Sequence, residues 1–264
     1  MNFTGKNIWI TGSSSGIGEA VAIEISKHNV HLILSGRNET LLRVVAEKCR
    51  ENGSTADVIP FDLANENAIY EAAKEVISRK IKIDGLYHFG GISQRSFVTE
   101  TPLQVDRKIF EVNFFGTVAL TKAVLPWMIK NGGGQIAVTS SIVGKFGFPY
   151  RSAYSASKHA LHGFFESLRA ENKDNNIRVA VIIPGRIKTK VSVNALNKEG
   201  KPHGQMDEGQ DKGKTAEWAA RKIVSKLENE RKEIMVGGKD LLMVYIRKFF
   251  PPLYYYMASR VKPL

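Results

Sequence analysis

Short, almost wholly apolar runs recur along this chain, separated by longer stretches in which apolar residues return every three or four positions. The runs read NIWITG, VHLILSG, TADVIPFDL, IDGLYHFGG, GQIAVTS, IRVAVIIPG and KEIMVGG, and each predicts a short buried strand. Helical periodicity falls at 17–28, 38–51, 65–80, 103–130, 153–173 and 215–229. Strands without a polar face belong in a parallel sheet with helices on both sides. No composition break, internal repeat or low-complexity interval divides the chain. The pattern predicts one doubly wound α/β domain over residues 1–264, a seven-stranded parallel sheet flanked by helices on both faces. In such sheets ligands bind at the carboxyl ends of the strands, where strand order reverses.

The first of those ends carries TGSSSGIG. Glycines at 12, 16 and 18 allow a tight turn and bring backbone N–H groups toward a phosphate at a helix N-terminus. Gly12, Ser13, Ser14, Ser15, Gly16, Ile17 and Gly18 therefore form the candidate cradle of a Rossmann-type dinucleotide site, one residue longer than the G-x-G-x-x-G spacing. The second strand ends in SGRNE. Gly36 stands where an NAD site places an acid, and Arg37 follows, which suits the 2′-phosphate of NADP(H); an exposed arginine opening the next helix is the plain alternative. Ser13 and Ser14 are available as neutral donors. The third run ends in FDL, where Asp62, with Leu63 beside it, either accepts from an adenine amino group or caps the helix starting near Asn65.

The stretch AYSASKHAL places Tyr154 four residues before Lys158, on one helix face. A cation beside a phenol favours the phenolate and so makes Tyr154 a better proton donor at neutral pH.

Taken together, TGSSSGIG, EVNFFGT, TSSIVG, AYSASKHAL and IIPGRIKT resemble the short-chain dehydrogenase/reductase family in order and spacing. ISQRSFVTE, LTKAVLP and SASKHALHGFFESLR are similar to its member-7-like branch. The resemblance implies a catalytic set of Asn113, Ser141, Tyr154 and Lys158, with Ser140 as the fallback serine. It implies that Tyr154 gives a proton to a carbonyl oxygen as hydride arrives, or removes one from an alcohol in reverse. Lys158 then lowers the Tyr154 pKa and bonds the nicotinamide ribose, Ser141 supports the alkoxide, and Asn113 holds a water beside Lys158; Asn113, Tyr154 and Lys158 count among the cofactor-binding residues too. By the same resemblance Pro184, Gly185 and Ile187 face the nicotinamide, Thr189 contacts its carboxamide or the pyrophosphate, and Gly90 and Gly91 permit close backbone approach to the cofactor ribose. Where the family has Asn-Asn-Ala-Gly, this chain has HFGG, and His88 is read as a core residue before a base. The implied activity is interconversion of a carbonyl and an alcohol on a lipophilic substrate such as a steroid or retinoid. A cofactor-binding sensor of the same fold is the alternative. Family habit also implies a homodimer or homotetramer.

Charge adds one thing. Of the net +12, residues 186–264 carry +8, so the excess lies late in the chain. The tail YIRKFFPPLYYYMASRVKPL interleaves aromatics with Arg247, Lys248, Arg260 and Lys262. That composition suits peripheral contact with a membrane surface, and equally the closing of a lipophilic pocket or packing on a partner subunit. Residues 190–213, polar and weakly periodic, are the expected substrate lid. The chain shows no nucleic-acid motif, and no nucleic-acid partner is expected. The lone Cys49 excludes an internal disulfide and a cysteine metal cluster, and no metal site is expected. With no apolar leader and no run of about 18 apolar residues, the expected location is cytoplasmic, at a membrane surface if the tail binds one.

Overall fold

The computed structural model describes residues 1–261; Lys262 of the tail lies outside the described residues. The strands are β1 (Asn7–Thr11), β2 (His31–Ser35), β3 (Thr55–Val58), β4 (Gly85–His88), β5 (Gly134–Thr139), β6 (Ile177–Pro184), β7 (Ile187–Lys188), β8 (Lys214–Thr215) and β9 (Glu233–Val236). Seven of them form one sheet in the order β3-β2-β1-β4-β5-β6-β9, with every neighbouring pair parallel. The short β7 and β8 pair separately. The helices are α1 (Gly16–Ile25), α2 (Glu39–Glu51), α3 (Glu66–Ser78), α4 (Leu103–Phe110), α5 (Gly116–Lys130), α6 (Ser152–Glu171), α7 (Glu208–Asp211), α8 (Ala216–Glu228), α9 (Leu242–Phe249) and α10 (Pro251–Ala258).

Alternate residues of one strand serve opposite cores, which is why the strands lack a polar face. Ile8 and Ile10 of β1 join Val21, Leu42 and Ile223 from α1, α2 and α8. Trp9 between them joins Ile69, Leu120 and Phe165 from α3, α5 and α6. Strand order reverses between β1 and β4, so the carboxyl ends of these two strands frame the crevice where a ligand is expected.

Two local departures from the apolar pattern have physical causes. The third apolar run ends as a strand at Val58, because Pro60 has no N–H to give. Beyond it only Ile59 N–H to the Leu34 carbonyl (3.0 Å) and Phe61 N–H to the Gly36 carbonyl (3.1 Å) continue along β2. The helical run over Leu103–Lys130 is by length and composition apolar enough to cross a bilayer, but half of its most apolar stretch is buried in the fold. Between α4 and α5 this run passes through a π-helical segment, Glu111–Phe115, a local insertion that often marks a functional site.

The segment 190–213 packs over the carboxyl end of the sheet, with Ser192 and Ala195 fully buried. The tail forms a helical hairpin, α9 then α10, whose Tyr254 is buried and rests on Phe146 with ring centres 5.3 Å apart.

Candidate active site

At the carboxyl end of β1 the chain turns at Gly12 with φ +70° and again at Gly16 with φ +63°, a conformation that glycine adopts without penalty. A Cβ on Gly12 would meet the backbone of Phe89 and Gly90, and one on Gly18 would meet the Gly12 carbonyl. Ser15 precedes α1 without giving its helix a side-chain cap, so its terminal N–H groups are left for a ligand. These residues open into a cleft of about 280 Å³ lined by Gly12, Ser14, Ser15, Gly16, Ile17 and Gly18 of the turn. Arg37, Asp62, Leu63, Gly90, Pro184, Ile187 and Thr189 line the same cleft. Glycine-bounded backbone, an uncapped helix end and an arginine at the end of β2 fit a nicotinamide dinucleotide.

Three sequence assignments to the cofactor wall need correction. Ser13 is fully buried, and its hydroxyl donates to the Ser35 carbonyl (3.3 Å), so it ties β1 to β2 and does not face the cleft. Gly185 turns away to Asp240, whose carboxylate occupies the space a Cβ would take. Its N–H is spent on the Val236 carbonyl (2.8 Å). Asn113 stands behind the cleft wall, not on it. The two readings of Asp62 also separate: Asn65 caps α3 through Ala68 N–H, while Asp62 accepts from Ala64 N–H (3.0 Å) at the cleft.

Tyr154, Lys158 and Ser141 meet where this cleft joins a second cavity. Tyr154 and Lys158 lie one turn apart on α6, and Ser141 follows β5. Burial pushes the Tyr154 phenol above its ordinary value, and the Ser141 hydroxyl, Arg95 and Arg151 pull it back. Lys158 is buried on the same helix. Its ammonium donates to the Thr139 carbonyl (2.7 Å) and lies 5.8 Å from the centre of the Tyr154 ring. Burial lowers the Lys158 pKa to about 8. The two candidate serines are distinguished by their bonds. Ser140 is buried and donates to the Lys158 carbonyl (3.0 Å), so it fixes α6, while Ser141 lines both cavities with the tyrosine.

Asn113 occupies the π-helical segment and is fully buried. Its Oδ1 accepts from Ile92 N–H (2.8 Å), and its Nδ2 donates to the Ile92 carbonyl (2.9 Å) and to Ser157 Oγ (3.0 Å). The amide thus clamps the strand exit after β4 to α6. Gly91 makes this possible, since a Cβ there would lie 3.1 Å from Asn113 Oδ1 and 3.3 Å from Lys158 Nζ.

The HFGG departure has a structural account. His88 is buried between Thr11 Oγ1 (3.5 Å) and Thr121 Oγ1 (3.0 Å), linking β1 to α5, with Phe165 against its ring. Burial lowers its pKa to about 3, so it is neutral and takes no part in the cleft. Phe89 packs with the core beneath α1, and a Cβ on Gly18 would lie 3.0 Å from its side chain.

Several polar residues of the site escaped the sequence reading. Gln94 is fully buried and its Oε1 accepts from the N–H groups of Ala153 (2.9 Å) and Tyr154 (3.4 Å), capping the helix that carries the tyrosine. Next to it Arg95, with Arg151 at the start of α6, grips Asp207 of the 190–213 segment. The available signal was position: SQR follows the strand at which the sheet order reverses, and ligand-facing residues gather there.

Residues 6–200 match the short chain dehydrogenase family. Dehydrogenase/reductase SDR family member 7B of Xenopus laevis is 40% identical over 261 residues, spanning 96% of this chain and 81% of the relative. The Drosophila melanogaster SDR family protein 7-like is also 40% identical, spanning 97% and 80%. A short chain dehydrogenase/reductase from Burkholderia phymatum, solved with NAD, superposes with a TM-score of 0.85 at 21% identity, covering 100% of this chain and 99% of that one. A short chain dehydrogenase from Burkholderia cenocepacia, solved with NADP, gives 0.81 at 21% identity, with 99% and 100% covered. On its sequence match, its sheet order and its nucleotide cleft, this chain belongs to the short-chain dehydrogenase/reductase family of oxidoreductases.

Proposed function

We propose that this protein is an NADP(H)-dependent oxidoreductase interconverting a carbonyl and an alcohol on a lipophilic substrate, with Tyr154, Ser141 and Lys158 as its catalytic groups. The observation that carries the reading is the position of Tyr154 and Ser141, which border both the nucleotide cleft and the adjoining cavity. Tyr154 gives its proton to the carbonyl oxygen in reduction and takes one from the hydroxyl in oxidation. Ser141 donates to the developing alkoxide, and the buried Lys158 adds positive charge beside the ring. The bound nicotinamide supplies or accepts the hydride. Asn113 and Gln94 are positioning residues, the first for the segment after β4 and the second for the first turn of α6.

Support for NADP(H) over NAD(H) comes from Arg37 and Ser14 at the cleft, with glycine, not an acid, at position 36. Support for a lipophilic substrate comes from the aromatic and aliphatic wall of the second cavity, Ile142, Val143, Phe146, Phe148 and Met243. The segment 190–213 serves as its lid. The tail hairpin, with Phe249 and Phe250 more than half exposed beside Arg247 and Lys248, would hold the enzyme at the cytoplasmic surface of an anionic membrane. A homodimer or homotetramer is the expected assembly.

NADPH oxidation by the purified protein, screened against steroids, retinal, quinones and aldehydes, tests the reading. Tyr154→Phe should lower turnover about 10²- to 10⁴-fold while NADPH binding stays unchanged. Equal turnover by this variant would remove Tyr154 from the chemistry.

A further inference from the structure

The second cavity, about 260 Å³, has an apolar wall and a charged one. Among the described residues the charged wall holds Arg95, Arg151 and Arg186 against Asp207 and Asp240, an excess of one positive charge. Arg95 is buried and Arg151 is partly buried, their side chains 5% and 14% exposed, and they share the single carboxylate of Asp207, 8% exposed. Arg95 is nearly saturated. Its Nε lies 3.1 Å from each Asp207 oxygen, and its Nη2 donates to Oδ2 (2.5 Å). Its Nη1 donates to Ser93 Oγ (2.9 Å) and the Gln94 carbonyl (2.5 Å).

Arg151 is not saturated. Among the described residues its Nη2 donates to Asp207 Oδ2 (2.9 Å) and its Nη1 to the Pro149 carbonyl (3.3 Å), with Nε left over. Asp240 offers no relief, because its oxygens accept from the backbone N–H groups of Arg186 (2.7 Å) and Gly238 (2.9 Å). A largely desolvated cation that must share its counter-charge with a second one is costly, and an added anion offsets that cost. Here the cation stands beside the phenol that would protonate the substrate, and the planar guanidinium fork matches a carboxylate or phosphate.

Resting on the function proposed above, we infer that the cavity takes an amphiphilic carbonyl compound whose anionic group, a carboxylate or a phosphate monoester, pairs with Arg151 beside the Arg95–Asp207 pair while its hydrocarbon lies on the apolar wall. The second wall fits this substrate: Phe148 lies 5.3 Å beneath the Arg151 guanidinium, so the charged and apolar contacts adjoin.

Three probes test it: a medium-chain methyl ketone, the same chain ending in a carboxylate, and the same chain ending in a phosphate monoester. Reduction by NADPH is measured, and binding is measured separately by calorimetry on the Tyr154→Phe variant with NADPH present. At least one anionic probe should exceed the neutral ketone by about 10- to 100-fold in kcat/KM and in affinity. Which of the two wins identifies the group. Arg151→Gln should collapse that ratio, and Asp207→Asn should widen it, since removing the carboxylate frees a second guanidinium edge. A role confined to latching the lid would lower affinity for all probes in both variants and leave the ratio unmoved. Should either variant fail to fold, the wild-type ratio alone decides: equal or better use of the neutral ketone overturns the inference. Failure of every probe to oxidise NADPH counts against the catalytic reading, and the calorimetric ratio still decides this one.

Discussion

Acidification should expose the imidazole at 88 as a structural weak point, and the size of the effect follows from its surroundings. His88 faces Thr11, Thr121 and Phe165, none of which carries a charge to offset protonation, and burial lowers its pKa to about 3. In the unfolded chain an imidazole titrates near 6.5, so between that value and 3 the unfolded state binds the extra proton. Stability is therefore intact above about pH 6.5 and declines as pH falls toward the folded value. Each unit is worth about 1.4 kcal/mol, so by about pH 5 this one residue costs about 2 kcal/mol. His162, buried with both ring nitrogens unbonded, has its pKa lowered to about 4. Burial is the chief cause, followed by Lys145, against the opposite pull of Glu233, with smaller lowering by His159 and Arg169. It adds about 2 kcal/mol over the same interval.

Urea unfolding of the cofactor-free protein, followed by tryptophan fluorescence at a series of pH values, reads this directly. His88→Gln keeps a donor and an acceptor for the two threonines but cannot titrate. It should start less stable than wild type near pH 7.5, and the gap should move about 2 kcal/mol in its favour by about pH 5. If the wild-type and His88→Gln stability curves stay parallel across that range, His88 is not buried neutral and the account of the HFGG segment is wrong.

Three further outcomes are expected. Arg37→Glu should raise the KM for NADPH about 10- to 100-fold, the worth of a charge-assisted contact, and shift preference toward NADH; an unchanged NADPH/NADH ratio in steady-state kinetics would remove Arg37 from the site. Gly116→Ala places a methyl on the Leu63 carbonyl. It should cost about 1–3 kcal/mol in urea unfolding and weaken NADPH binding because Leu63 lines the cleft; full retention of both would show that α5 can shift freely. Phe249→Ser with Phe250→Ser removes two exposed rings. Stability should stay within about 0.5 kcal/mol, while sedimentation with anionic vesicles falls; undiminished sedimentation would assign the hairpin another partner.

Much of this molecule was legible because its strands advertise themselves. Seven apolar runs became the seven strands of the main sheet, since burial on both faces leaves no polar alternation to confuse the reading. The glycine turn was legible for a related reason: only glycine tolerates positive φ with a second backbone crossing above it, as Gly12 shows under Gly90. What escaped was whatever depends on orientation about a strand or turn. Ser13 and Ser14 are neighbours of one kind, yet one faces the sheet and the other the cleft. The Arg95–Asp207–Arg151 cluster joins residues more than fifty positions apart, a contact that no local periodicity encodes. Lys158 was placed correctly on the face of Tyr154, but spacing fixes the Cα positions and not the ammonium, which the Thr139 carbonyl holds.

The cavity beyond Tyr154 is walled by three parts of the chain that the sheet does not itself hold in place. Asp207 brings in the 190–213 segment through the two arginines, Phe146 and Phe148 come from the loop after β5, and Met243 of α9 and Val261 just after α10 come from the tail. The hairpin in turn rests on that loop, since Tyr254 packs on Phe146 and its hydroxyl donates to the Gly147 carbonyl. The outward side of the hairpin carries the exposed aromatics and cations. A surface that binds those rings therefore acts first on a wall of this cavity, because no tail residue among the described ones lines the nucleotide cleft. The same separation sets the kinetic signature. Anionic vesicles should change the KM of an amphiphilic carbonyl compound and leave the KM for NADPH unchanged in a matched titration. Equal movement of both constants would mean that the vesicles act on the protein as a whole.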